Sequence, residues 1–350
     1  MKYSLIVPVF NRPDEVDELL ESLCSQTVKD FEVLIVEDGS TKKCKDVCEK
    51  YADILDLHYY YKDNSGPGQS RNYGAERAQG EWLIILDSDV VLPESYIHAV
   101  DSSLCTLNSK LVAWGGPDAA HPSFTTIQKA ISYSMTSFFT TGGIRGGKKK
   151  MDKFYPRSFN MGIRRDVYLQ LGGFTKMRFG EDIDFSYRIV EAGYQPQLLP
   201  DAWVWHKRRT DFRKFFRQVY NSGIARINLE KRHPGTLKLV HLLPTVFTVG
   251  VFLLILLGAF GRIMMVYGHP DDFRMWYWIV VAALSPILLY ALLICIDSTI
   301  RNRSLHVGLL SVPAAFTQLM GYGLGFIESW WKRCILKKDE FQAFEKTFYK

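Results

Sequence analysis

The segment Trp82-Leu83-Ile84-Ile85-Leu86-Asp87-Ser88-Asp89-Val90 decides how the chain is read. Its unbroken apolar run marks a strand covered on both faces, as in parallel sheets. Two carboxylates two residues apart follow it. In extended backbone such residues point the same way, so Asp87 and Asp89 can converge on one ion. Hard divalent cations take one or two carboxylates together with phosphate oxygens. Working backward, Ser4–Val9, Glu32–Val36 and Leu57–Tyr61 read as further strands. Helical patterns run between and after them at Asp14–Ser25, Gln69–Gln79 and Glu94–Leu107. This alternation implies a parallel sheet with right-handed crossovers, whose ligands bind beyond the carboxyl ends of the strands. The residues at those ends (Pro8 to Arg12, Glu37 to Ser40, Asp63 to Arg71, Asp87 to Asp89) are polar, Gly-rich and acidic. They suit a nucleotide crevice.

The chain has 350 residues, of which 47% are hydrophobic and 23% charged, so a sizeable core is available and disorder is excluded. Lys plus Arg is 43 against 37 for Asp plus Glu, a net +6 that is too small to argue for nucleic acid. No Gly-x-Gly-x-x-Gly follows the first strand, which disfavours a dehydrogenase. The six cysteines form no CxxC pair and read as reduced structural thiols of a cytosolic domain. The apolar run before Pro8 is too short for a signal peptide, so the first residues are expected to belong to the fold.

Four further features carry chemistry. Asp38 ends the second strand at a tight turn, where an acid can meet a nucleobase or ribose, or serve an Asx turn. Arg71 opens the helix after Ser65-Gly66-Pro67-Gly68, where a cation and free N–H groups can meet an anion. Gly180-Glu181-Asp182-Ile183-Asp184 reads as a helix start with three carboxylates, of which helical geometry should aim at most one into a crevice. Upstream, the Gly172-Gly173 turn leaves backbone open to a sugar. Between Gly115 and Tyr155 the alternation lapses, and Gly142 to Lys150 reads as a flexible basic loop or lid.

Taken in order, VPVFNRPDEVDELLESL, FEVLIVEDGST, GPGQSRNYGAERAQGEWLIILDSDV, NMGIRRDVYLQLGGF and GEDIDFSYRI resemble the motifs of family 2 glycosyltransferases of the GT-A fold. The resemblance covers roughly residues 3–210. It implies an α/β, Rossmann-like nucleotide-sugar domain, a nucleotide-diphosphate sugar donor with a UDP-sugar favoured, Mg2+ or Mn2+, and inversion at the anomeric carbon. Carried over, Asp182 matches the catalytic base, and Pro8, Asn11, Asp38, Arg71, Asp87, Ser88 and Asp89 match the donor site. Gly173 and Glu181 fall on the acceptor side at the helix start. Asp87 and Asp89 match the metal-binding pair, and His206, in Trp205-His206-Lys207, resembles a late metal-binding histidine. The Gln-x-x-Arg-Trp motif of processive synthases is absent, which favours transfer of a single sugar.

Residues 211–235 read as a basic amphipathic helix on a membrane surface, and 236–331 as a membrane domain. Its apolar segments are Leu239–Gly261, Trp276–Cys295 and Leu305–Ile327, each near the roughly 20 residues a span needs. Pro313 and several glycines weaken the third as a simple helix, and the tail 332–350 is basic. Basic residues flank the first span and recur at Arg301 and Arg303, while the Arg262–Met275 loop carries few, so the positive ends and the catalytic domain are expected to be cytoplasmic, in a multi-pass inner-membrane protein. Three full spans would leave the basic tail outside, so either the charge rule is broken there or, the reading we favour, Leu305–Ile327 is re-entrant or interfacial. The expected acceptor is a lipid-linked glycan. A polyprenyl-phosphate acceptor is the rival enzyme, and a transporter component the non-enzymatic one.

Overall fold

The structure, a computed structural model, describes residues 1–106, 111–141, 154–177, 179–341 and 343. It divides into two compact units, Met1–Pro122 with Lys148–Lys207, and Ser123–Gly147 with Arg208–Lys350.

In the first unit the described residues form a seven-stranded sheet, ordered β3-β2-β1-β4-β8-β6-β9. The strands are β1 (Tyr3–Val9), β2 (Phe31–Asp38), β3 (Leu57–Lys62), β4 (Trp82–Leu86), β6 (Ala113–Gly115), β8 (Asn160–Arg164) and β9 (Gln197–Leu198). Three short strands, β5 (Val90–Val91), β7 (Asp118–Ala119) and β10 (Val204–His206), make a second sheet. Helices α1 (Pro13–Cys24), α2 (Lys45–Glu49), α3 (Pro67–Arg77), α4 (Tyr96–Thr106), α7 (Arg165–Gln170) and α8 (Glu181–Glu191) belong to this unit.

Alternation along the strands produces two cores. Leu5, Val7, Val33, Ile35, Ile84 and Leu86 fill one, while Ile6, Leu34, Leu83 and Ile85 fill the other. With both faces covered, the central strands need the near-continuous apolar runs that the sequence shows. From β3 to β4 all pairs are parallel, as expected. Beyond β4 the sheet is mixed, because β8 joins it antiparallel. Gly162 of β8 is required there, since a Cβ would lie 2.0 Å from the Trp114 ring.

The apparent lapse between Gly115 and Tyr155 is ordered at its start. It holds β7 and two helices of the second unit, α5 (Thr126–Thr136) and α6 (Phe138–Thr141). The α5 start is fixed by a Thr125/Gln128 capping box. The boundary expected at residue 210 therefore misses an excursion into the other unit. The basic loop Gly142–Lys150 lies outside the described residues.

The second unit continues with α9 (Phe212–Arg232), α10 (Leu243–Tyr267), α11 (Phe273–Asn302) and α12 (Leu305–Trp330). Among the described residues three helices, containing α10, α11 and α12, are long and apolar enough to cross a membrane. The amphipathic α9, whose pattern suggested a helix on a membrane surface, turns much of its apolar face into its own unit. Phe215, Val219, Ile224 and Ile227 are buried, and α12 lies against the helix. The glycines that weakened Leu305–Ile327 on paper are the seats of that contact: a Cβ on Gly325 would fall 2.0 Å from the Tyr220 carbonyl oxygen. Hence α12 is one continuous helix despite Pro313.

On α12, Ser311 meets Ser298 at 2.7 Å, Phe316 meets Tyr290 and Phe247, and the Leu319 carbonyl accepts from Thr248 Oγ1 at 3.3 Å. These pairings all fall in the half of the α10–α11 hairpin nearest Leu243 and Asn302. The hairpin's far half pairs within itself, Gly258 against Leu284 and Phe260 against Trp276.

Candidate active site

Asp87 and Asp89 leave β4 in a turn rather than in the extended backbone expected of them. They converge nonetheless, and the second sheet supplies a third group. Because β10 pairs antiparallel with β5, His206 sits opposite Val90, and the Lys207 N–H donates to the Asp89 carbonyl at 3.0 Å. The His206 ring stacks on Phe159 at 4.9 Å, and its Nε2 lies 3.2 Å from Asp89 Oδ1. One donor atom each from Asp87, Asp89 and His206 lies within 4.8 Å of the others. Two hard carboxylates and one imidazole fit Mg2+ or Mn2+. Ser88 is buried at the turn between the two acids.

Arginines surround this cluster. Arg12 Nη1 donates to Asp89 Oδ2 at 3.1 Å and also pairs with Glu15. Arg71 is buried, with Nη2 on Asp87 Oδ1 at 2.7 Å and Nη1 on Glu181 Oε1 at 2.9 Å. It therefore bridges two acids instead of standing open to an anion. Arg157 Nε donates to Asp182 Oδ2 at 2.6 Å. Its terminal amino groups bond to none of the described residues, and the side chain is 39% exposed. Asp184 turns away to Thr175 and Arg188. Two of the three helix-start carboxylates thus reach the site's arginines, one more than helical geometry suggested, because Glu181 begins the helix after Gly180 at φ 84°.

The two neighbours are pushed apart in acidity. Burial, and then the charge of Asp182, push Glu181 up to about 7. For Asp182 burial again works against the charge, but the Arg157 guanidinium prevails and holds the carboxyl below its usual range. Asp182 is therefore ionised at neutral pH, as a general base must be.

The remaining expected positions are held from within. Asp38 Oδ1 accepts from Lys62 Nζ at 2.6 Å and Ser65 N at 2.8 Å, and Oδ2 from Gly66 N at 2.8 Å. The acid thus shapes the loop that begins α3. Asn11, at φ 56°, accepts from Thr41 and Lys42 N–H groups at 2.8 and 2.9 Å and clamps the β1 and β2 loops together. Pro8 pairs opposite Val36 in the sheet. Gly173 is a turn rather than an open platform: its φ is 62°, a Cβ would meet Asn72 Oδ1 at 2.3 Å, and its carbonyl accepts from Arg188. Arg157 and Lys62 escaped the sequence reading. Lys62, the last residue of β3, had a positional signal; Arg157, in the irregular segment before β8, had none.

A mostly parallel α/β sheet with an acid-and-imidazole cluster at the end of β4 has the architecture of a domain whose ligands bind beyond the carboxyl ends of its strands. Residues 4–172, just under half of the chain, match the family profile described as Glycosyl transferase family 2, so the first unit carries a domain of that family. An uncharacterized glycosyltransferase of Haemophilus influenzae is 28% identical over 209 residues, 56% of this chain and 64% of that protein. The poly(ribitol-phosphate) beta-N-acetylglucosaminyltransferase TarS of Staphylococcus aureus is 39% identical over 93 residues, 25% of this chain and 16% of its own. Among these curated relatives the chain spans less than two thirds of their length. The GT-A type of fold is shared with the mannosyltransferase PcManGT of Pyrobaculum calidifontis, solved with GDP-Man and Mn2+. The TM-score is 0.56 at 15% identity, covering 95% of this chain and 88% of that one.

Proposed function

We propose that the chain is a metal-dependent, inverting glycosyltransferase that moves one sugar from a nucleotide-diphosphate sugar to a membrane-associated acceptor. The observation that carries this reading is the Asp87–Asp89–His206 cluster, with Asp182 on the same network of arginines. Asp87, Asp89 and His206 would hold Mg2+ or Mn2+, which when bound neutralises charge on the leaving diphosphate. Asp182 accepts the proton of an attacking hydroxyl, and Arg157 keeps it ionised and oriented. Arg71 fixes Asp87 and Glu181 so that the acids do not splay apart through mutual repulsion. The loop built on Asp38 and Lys62 forms one wall of the donor pocket.

One observation favours a second acceptor chemistry. The two uncommitted amino groups of Arg157 beside Asp182 suit a phosphate, the acceptor of a polyprenyl-phosphate sugar transferase. Asp182→Asn decides between them. A large loss of turnover with donor binding intact supports a hydroxyl acceptor, and a mild effect supports a phosphate, which needs no base. For placement, we read α10 and α11 as a hairpin through the inner membrane with the catalytic unit cytoplasmic. The pairings of α12 with only the near half of that hairpin support an oblique α12 that stays on the cytoplasmic side. The basic tail then obeys the charge rule.

A further inference from the structure

From the placement of α5 and α6 we infer that this excursion out of the catalytic unit's sequence is a membrane-inserted element, whose partner is the hydrocarbon of the bilayer leaflet. The inference rests on α10 and α11 spanning the membrane. Ala130 packs with Val307 and Ala314, near the polar end of the hairpin. Three residues on, Tyr133 Oη donates to Asp297 Oδ2 at 2.6 Å and packs with Ile294 and Ala315. Six residues further, the Phe139 carbonyl accepts from Tyr290 Oη at 3.1 Å. The segment thus descends along α11 from the level of Asp297 to that of Tyr290. Seven residues at 1.5 Å each make a descent of roughly 10 Å, and from Arg301 to Tyr290 roughly 16 Å. The hydrocarbon half-thickness is only about 15 Å.

Side-chain chemistry agrees with that depth. Phe138 is 66% and Phe139 40% exposed, at the level where α11 shows Leu289, Leu292 and Leu293 outward. No charged residue occurs between Lys129 and Arg145. Most of its hydroxyl groups bond within the segment: Ser134, Thr136, Thr140 and Thr141 donate to backbone carbonyls at most six residues back, and Ser137 Oγ accepts from the Phe139 N–H. Lipid imposes that self-sufficiency, since no water is there to serve as partner. On a water-facing surface two adjacent exposed phenylalanines would stand without cover.

The full chain in phosphatidylcholine–phosphatidylglycerol vesicles is labelled with a lipid-partitioning carbene reagent, and modified residues are located by mass spectrometry. The expected result is label on Phe138–Thr141 comparable to that on Leu288–Leu293. Label on Leu288–Leu293 without label on Phe138–Thr141 overturns the inference and leaves the spanning hairpin standing. Label on neither overturns both. As a second measure, a nitroxide on Phe138→Cys is expected to be accessible to oxygen, shielded from an aqueous nickel chelate and roughly 10 Å deep. Free access of the chelate, or cross-linking of Phe138→Cys between two chains, refutes insertion.

Discussion

Glu181→Gln tests whether the Arg71 bridge is built as described. The Glu181 carboxyl is pushed from the ordinary 4.5 up to about 7, by burial first and by Asp182 second. A folded-state value above the unfolded one means that the native chain keeps a proton which the unfolded chain has lost. Stability therefore falls as pH rises from about 4.5 to about 7, and the loss is complete above 7. A gap of roughly 2.5 units at about 1.36 kcal/mol each amounts to about 3 kcal/mol. Glutamine retains an oxygen for Arg71 Nη1 and carries no charge, so the variant lacks this fall. Between about pH 5 and pH 8 its stability relative to the parent is expected to improve by about 2–3 kcal/mol. Urea unfolding of both proteins in detergent micelles, followed by tryptophan fluorescence, measures the difference at each pH. Parallel pH profiles would refute the argument. A companion variant probes the cation: Arg71→Met leaves Glu181 and Asp87 without their shared partner and is expected to cost about 3–5 kcal/mol. In a Glu181→Gln background the cost should shrink, because only Asp87 is then stranded, and strict additivity would mean that no bridge exists.

Asp89→Asn should reduce nucleotide-diphosphate binding in Mn2+ to the level seen without the cation, measured by calorimetry with and without chelator. Asp182→Asn should lower turnover by about 10²–10⁴-fold with donor affinity unchanged, whereas Asp184→Asn, whose carboxylate serves Thr175 and Arg188, should be mild in the same assay. Arg157→Gln removes the charge that holds Asp182 low, so the acidic limb of the kcat profile should move to higher pH. A cysteine placed at Asp271 should react with an impermeant maleimide from the periplasmic face of intact cells only.

The central sheet was legible because each of β1 to β4 is a local feature. An apolar run of five to eight residues identifies β1, β2 and β4 as buried strands whatever lies elsewhere in the chain, the edge strand β3 being half-exposed, and the acids at the ends of β2 and β4 mark the ligand edge by position alone. The Asp87–Asp89–His206 cluster was half local. Asp87 and Asp89 are visible together, but His206 reaches them only because Trp205 and His206 pair with Val91 and Val90, more than a hundred residues earlier. Arg157 is hidden too, because its partner Asp182 lies 25 residues on, on another element, and its own neighbours follow no period.

What escaped was of one kind. Polar groups were read as facing ligands, and glycines as weakening elements, when each was answered by a partner remote in sequence. Arg71 looked like an anion site until Asp87 and Glu181 occupied it, and Asn11 looked like a donor contact until Thr41 and Lys42 took its oxygen. Gly321 and Gly325 looked like breaks in a span until Val219 and Tyr220 filled the spaces they leave. The α5–α6 excursion follows the same logic on a larger scale. Its apolar residues have no periodic partner nearby, since Ala130, Tyr133 and Phe139 meet helices that begin more than a hundred residues later. A window of ten or fifteen residues therefore reads it as irregular chain. Once α11 and α12 are in place it has a definite seat: a segment uncharged beyond Lys129, inserted in the sequence of the catalytic unit and folded onto the long apolar helices.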